Sequence, residues 1–269
     1  MKKVILLDMD GTITLPRKQI EPEMKIQLDS MIADGYELGI VSGSHIEYMD
    51  EQLGSWDKWA KNCRMIHKFP VNGTSGLDMI SEYTESEWNW LMHDIESADN
   101  RMRLSLGGKY IRQPKKIMEF RGSSINWCPI GRDASDSMRK RFIGLDFAFD
   151  LRINFLNQMK TRPLFHKKTV IKLGGQTSFD IYPAGWDKSY VFKNFQNFER
   201  IYFIGDKCEP MGNDYEGYVK AGNYGIQTAG PRDTIRILSE ILRRSACKDT
   251  ISPPIQTLTS GSGNYNGSM

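Results

Sequence analysis

The sequence predicts an α/β fold: a parallel sheet covered by helices, interrupted in the chain by an inserted α+β module. Three observations predict it. Strands and helices alternate through residues 4–54 and again after residue 187, the pattern of a parallel sheet with crossover helices. Between these stretches lie several strand-like segments that suit an antiparallel sheet. Each half of the divided core also ends an apolar run on an aspartate, in VILLD (4–8) and YFIGD (202–206).

The elements follow in order. Residues 4–7 are a continuous apolar run, read as a buried strand. Residues 21–35 carry Met24, Leu28, Met31 and Ile32 at helical spacing and stop at Gly35. Residues 36–41 form the next strand and 45–54 the next helix. The stretch 79–105 reads as helical and holds Trp88 and Trp90. Strand patterns follow at 116–120, 123–130, 168–173 and 177–183, with helical stretches at 133–142 and 146–160 between them. Residues 187–195 read as a helix, 200–205 and 225–229 as strands, and 232–244 as a last helix. From residue 247 the chain is poor in charge and rich in Ser, Thr, Gly, Pro and Asn, the composition of a disordered tail. The resulting division is 1–78 with 184–247 for the core, 79–183 for the inserted module and 248–269 for the tail.

Bulk properties narrow the function. The 269 residues are 26% charged and 39% hydrophobic, ordinary for a soluble globular protein. A net charge of +3, with no basic run longer than Arg139-Lys140-Arg141, gives no reason to expect nucleic acid. The first apolar run ends at Asp8, too early for a signal sequence. No stretch approaches the roughly 18 apolar residues of a membrane span, so no membrane partner is expected. Cysteines 63, 128, 208 and 247 lack metal-ligand spacing and read as reduced thiols of a cytoplasmic protein.

In a parallel α/β sheet, ligands sit beyond the carboxyl ends of the strands. Asp8 lies there, and a carboxylate in that place can attack phosphorus. Asp10, two positions on, can exchange a proton with the transferred hydroxyl. Two carboxylates beside a phosphate call for a counter-cation, and Mg²⁺ suits oxygen ligands. Asp206 and Asp214, with Asn213 nearby, form a second acidic group after a later strand. A lone aspartate after a strand is usually a helix cap or turn former; two such groups at separate strand ends are more specific.

The segments DMDGT (8–12), GIVSGS (39–44), Lys188 in GWDKSY and GDKCEPMGND (205–214) resemble the four motifs of the haloacid dehalogenase superfamily. Residues 117–139 and 174–190, with TLPR (14–17) and FPVNG (69–73), are similar to the eukaryotic-type phosphomannomutase family. That resemblance implies a Rossmannoid core with an inserted α+β cap. It implies Asp8 as nucleophile, Asp10 as general acid/base, and Lys188 with Ser42 or Ser44 at the transferring phosphoryl group. Mg²⁺ is implied on Asp8, Asp10 (through its backbone), Asp206 and Asp214. Arg17, Arg121, Arg132, Arg139, Ser178 and Asp180 are implied to grip a hexose monophosphate. A hexose 1,6-bisphosphate is implied as activator, and a homodimer through the cap. The resemblance breaks at 216–225, where Lys220 and Asn223 stand in place of residues that hold a second cation in the family; none is expected here. A sugar-phosphate phosphatase on the same scaffold, and a non-catalytic binding protein using the Trp-rich helix, are the competing readings. Mannose and glucose would meet Ser178 and Asp180 alike.

Overall fold

The computed structural model describes residues 2–54, 56, 63–105 and 117–246. The tail expected from residue 247, and Lys116 of the first expected strand of the module, lie outside the described residues. Nine strands are described: β1 (Lys3–Asp8), β2 (Tyr36–Val41), β3 (Ile66–Phe69), β4 (Met118–Phe120), β5 (Ile125–Trp127), β6 (Thr169–Gly174), β7 (Ser178–Pro183), β8 (Arg200–Gly205) and β9 (Gly225–Gln227). The described helices are α1 (Pro22–Ala33), α2 (Ile46–Leu53), α3 (Glu85–Ser105), α4 (Asp136–Phe149), α5 (Leu151–Lys160), α6 (Pro163–Lys167), α7 (Tyr215–Ala221) and α8 (Pro231–Ala246).

One sheet is parallel, in the order β3-β2-β1-β8-β9. β1 sits at its centre, with Asp8 opposite Val41 on one side and Leu7 opposite Ile204 on the other. Alternate residues of a strand face opposite ways, and β1 uses both faces for burial. Ile5, Leu7 and Met9 pack with Met24, Leu28 and Met31 of α1 and Ile237, Leu238 and Ile241 of α8. Val4 and Leu6 pack on the other face with Val191, Phe192, Phe195 and Phe203. A strand buried on both faces shows no alternation, which is why residues 4–7 are uniformly apolar.

The second sheet is antiparallel, in the order β4-β5-β7-β6. Its core centres on Trp127, fully buried, with its ring stacked on Phe179 at 4.6 Å and its indole N–H donating to Asp99 at 2.9 Å. Leu91, Ile95, Ala98 and Met102 of α3 cover this sheet beside Leu156 and Met159 of α5. Trp88 packs partly buried against this core, and Trp90 is exposed.

Several expectations change. β3 has no sequence signal, being four half-buried residues that include His67 and Lys68. Of 123–130 only Ile125–Trp127 is strand, and of 225–229 only Gly225–Gln227. The helices of 133–160 divide at Asp150, whose left-handed backbone (φ 49°, ψ 38°) separates α4 from α5. Residues 79–82 are a short 3₁₀ turn ahead of α3. Lys188–Phe195 is a 3₁₀ helix, begun by Asp187, whose carboxylate accepts from the Ser189 amide at 2.8 Å. Within 216–225, where the resemblance breaks, residues 216–221 belong to α7, and Lys220 is exposed in its last turn. Among the described residues no helix is long and apolar enough to cross a membrane. Cys63, Cys128 and Cys208 are free, the last two buried.

Replacing the Trp127 side chain removes the stack and the hydrogen bond to Asp99 together. Trp127→Ala is expected to lower stability by about 3–5 kcal/mol, read as a shift of the urea unfolding midpoint followed by circular dichroism.

Candidate active site

The carboxyl edge of the parallel sheet gathers three segments. β1 ends at Asp8, and the chain then turns tightly: the amides of Thr12, Ile13 and Thr14 all point to the Met9 carbonyl at 3.0–3.3 Å. Gly11 makes this turn possible with φ +90°, and a Cβ there would collide with the Asp206 carboxylate. β8 ends at Gly205, and Asp206 follows. Gly205 also has no room for a side chain, since its Cβ would meet Asp214 at 2.6 Å.

Lys188 lies at the centre. It is 1% exposed, begins the 3₁₀ helix, and donates to Asp8 and, at 2.5 Å, to Asp214. Asp214 is fully buried and accepts from the Lys207 amide at 3.0 Å through its second oxygen. Thr12 donates to the other oxygen of Asp8 at 3.3 Å. Burial opposes the charge on Lys188, but Asp214 and Asp8 more than offset it and hold the ammonium well above the usual lysine range. Burial, then the Asp214 charge, push the Asp8 carboxyl up to about 7 against the pull of Lys188, with Asp206 adding to the rise. Burial also raises Asp206 to about 6, with Lys207 acting the other way and Asp214 adding to the rise.

Asp8, Asp206 and Asp214 present oxygens within 4.8 Å of one another. One oxygen of Asp206 and the side-chain oxygen of Asn213 are buried and accept no hydrogen bond. Crowded anionic oxygens, some without donors, fit a hard divalent cation such as Mg²⁺. The Asp10 carboxylate is outside this group. It accepts from the Gln52 amide at 3.0 Å and from the Arg17 backbone N–H at 3.3 Å. Ser42 is buried, and its hydroxyl accepts from the Ser44 amide at 3.1 Å. This serine loop is braced by the Asn72 amide on the Ser42 carbonyl and the Val71 amide on the Ser44 carbonyl. Both bracing residues have positive φ (Val71 48°, Asn72 59°), a backbone state that costs a β-branched valine energy.

The antiparallel module supplies a second polar group. Asn126 of β5 donates to Asp180 at 2.7 Å and to Ser178 at 3.2 Å, so the two β7 residues share one face, as the alternation predicts. Arg132 donates to Asn126 at 2.7 Å and pairs with Glu119 at 3.0 Å. Arg121 also pairs with Glu119, at 3.2 Å, and reaches across to the Gly43 carbonyl at 2.9 Å. Arg139 spends its guanidinium on Thr177, Ala134 O and Arg132 O, at 3.1–3.2 Å. Arg17 is exposed, with left-handed backbone (φ 61°).

Solved structures show the class of this fold. The chain superposes on the C-terminal domain of a C. albicans trehalose-6-phosphate phosphatase with TM-score 0.56 at 12% identity, covering 92% of this chain and 94% of that one. For a haloacid dehalogenase-like hydrolase from Bacteroides thetaiotaomicron the TM-score is 0.52 at 15% identity, over 90% and 100%. The fold is therefore haloacid dehalogenase-like, with its acidic cluster at the carboxyl edge of the parallel sheet. Residues 27–244 match the family model "Eukaryotic phosphomannomutase". The chain is 34% identical to a phosphomannomutase of Drosophila melanogaster over 248 residues, 89% of this chain and 95% of that protein. It is 32% identical to one of Nicotiana benthamiana over 246 residues, 88% and 93%. The chain belongs to the eukaryotic phosphomannomutase family.

Sequence reasoning missed Gln52, Glu119 and Asn126. Gln52 had a signal: it is a buried polar residue on the face of α2 that also carries Met49 and Leu53. Its amide is oriented by Thr14, which donates to it at 2.7 Å.

The raised carboxyls of Asp8 and Asp206 make the metal-free fold bind protons more tightly than the unfolded chain does. Their stabilising contribution is full below the ordinary value of 3.8 and is lost as pH climbs through about 6 and 7. A divalent cation competes with those protons. The rise in melting temperature on adding Mg²⁺ is expected to be larger at about pH 8 than at about pH 5.5, measured by calorimetry on chelator-treated protein.

Proposed function

We propose that the protein interconverts mannose 6-phosphate and mannose 1-phosphate through a phosphorylated Asp8 and a hexose 1,6-bisphosphate, feeding GDP-mannose synthesis. The observation that carries this reading is the pairing of two polar groups across one interface: Asp8 with Lys188 on the core, and the arginine network on the 79–183 module, which acts as cap. A phosphatase needs the first; a mutase also needs a grip on the distal phosphate of a sugar that must turn over.

An Asp8 oxygen attacks phosphorus of the bisphosphate. The P–O bond to the sugar breaks, leaving an aspartyl phosphate and a hexose monophosphate. Asp10 gives its proton to the departing oxygen and takes one from the hydroxyl that attacks in the return step. Lys188 neutralises Asp8 and faces the transferring phosphoryl group, as do Ser42 or Ser44. Asp8, the Asp10 backbone, Asp206 and Asp214 would hold Mg²⁺, which when bound would supply positive charge against the phosphoryl oxygens. Arg17, Arg121, Arg132 and Arg139 hold the distal phosphate, with Ser178 and Asp180 at the sugar hydroxyls. Guanidinium forks suit phosphate because they bind it bidentately. Closure of the cap keeps water from the aspartyl phosphate. A homodimer through the cap is supported by the exposed Trp90 and Leu104 of α3, and a cytoplasmic location by the free buried thiols.

The test is a coupled assay with mannose and glucose 1-phosphates, with and without a trace of bisphosphate, scoring 6-phosphate against free phosphate. Mannose 6-phosphate should form, dependent on bisphosphate; free phosphate as the main product would overturn the mutase reading. Asp8→Asn is expected to leave less than about a thousandth of the wild-type rate, a barrier increase of at least ~4 kcal/mol, with its circular dichroism unchanged. In Asp10→Asn the transfer steps slow while the nucleophile remains, so single-turnover kinetics should show slow formation and decay of the phosphoenzyme.

Arg139→Lys keeps the charge but cannot serve the three acceptors that Arg139 now serves. Weaker binding of hexose monophosphate, with Mg²⁺ affinity unchanged, is the expected calorimetric result.

A further inference from the structure

The cap also touches the core away from the arginine network. Lys172 lies on β6, directly across the ladder from Asp180, so the two share the sheet face turned toward the core. Its side chain is 7% exposed. The ammonium donates to the Pro210 carbonyl at 3.0 Å and pairs with Glu216 at 2.8 Å. Pro210 lies in the loop between Asp206 and Asp214, and Glu216 lies in the first turn of α7, whose N-cap is Asp214. The other Glu216 oxygen is buried and accepts no hydrogen bond. Lys160 of α5 donates to the Met211 sulfur at 3.4 Å, and Met211 packs into the module's own core. The loop between Asp206 and Asp214 is therefore held by two lysines of the antiparallel module, one on β6 and one on α5.

We propose that Lys172 is a positioning residue that couples closure of the cap to the shape of the cation-binding loop. This rests on the assignment of that loop to Mg²⁺. Asp206 and Asp214 must keep their oxygens converged for a small ion with strict geometry, and the loop they flank takes part of its packing from the cap, through Met211 on the module's core. A buried cation fixed in a β-strand, bonded to the middle of that loop and to the helix beyond it, sets the loop only when the cap is down. Linkage then requires the reverse: the ion that orders the loop favours the closed cap, and both effects have one coupling constant.

The experiment uses the full chain and two readouts. The first is the Mg²⁺ half-saturation point from thermal shift, with no sugar present. The second is the radius of gyration from X-ray scattering, with and without Mg²⁺. Lys172→Met is expected to raise the half-saturation about fivefold or more and to abolish any Mg²⁺-dependent compaction seen in the wild type. Glu216→Gln should act in the same direction from the other side of the pair. Lys172→Arg, which keeps a cation able to donate to the Pro210 carbonyl and to pair with Glu216, should stay near wild type. In mutase assays KM for Mg²⁺ should move more than kcat. A Lys172→Met protein that melts lower but keeps the wild-type Mg²⁺ half-saturation has lost only a structural salt bridge, and that result overturns the proposal. Absence of mutase turnover in the wild type would instead sink the functional reading, while the Mg²⁺ titration would still decide the role of Lys172.

Discussion

The site depends on one buried ion triad, Lys188 between Asp8 and Asp214. None of the three has appreciable contact with water, so each is tolerable only because the others are present. Removing Lys188 would leave two buried carboxylates without a cation, whereas removing Asp8 leaves the Lys188–Asp214 pair intact. Asp8 is set by the end of the central strand. Asp214 is set by the Lys207 amide and by a glycine at 205 that gives it room. Lys188 is set by the capped start of a 3₁₀ helix whose apolar side is driven into the sheet. The adjacency of β1 and β8 brings the two acidic ends together. A different strand order would separate them.

The arginine network uses the same logic in a more open place. Arg121 and Arg132 share Glu119, and Arg132 is tied through Asn126 to Asp180. The guanidinium groups are thus oriented by the protein's own acceptors. Under the proposed function, an anion entering there would not have to gather long side chains from solvent, which lowers the entropy cost of binding. Arg139, grouped with them in the proposed clamp, also braces the group. Its bonds to the Ala134 and Arg132 carbonyls and to Thr177 hold the turn from which Arg132 projects.

Much of this was legible in the chain. The apolar run that stops at Asp8, and the later one that stops before Asp206, marked the sheet edge, and the spacing around Lys188 and the arginines carried the family resemblance. What the chain did not reveal depends on register and on packing. Glu119 and Asn126 become site neighbours only through the β4–β5–β7 pairing, and Lys172 meets Glu216 only once one sheet lies over the other. β3 was hidden because an edge strand of four half-buried residues has no apolar pattern. α7 was hidden because it is only seven residues long and carries Gly217, which packs flat against the Phe203 ring. The 3₁₀ form of 188–195 was hidden because Val191, Phe192 and Phe195 sit at spacings that suit either helix.

The central position of β1 also governs how the chain is born. Val4–Leu7 takes half of its ladder from β2, which follows it closely, and half from Ile201–Ile204, which is made only after the whole antiparallel module. Throughout that interval one edge of an apolar strand, buried on both faces in the finished protein, has no partner. Open strand edges of this kind are where chains join one another. Any fragment ending before Arg200 keeps that edge permanently exposed. The inserted module thus lengthens the time during which the nascent core is vulnerable to association with other chains.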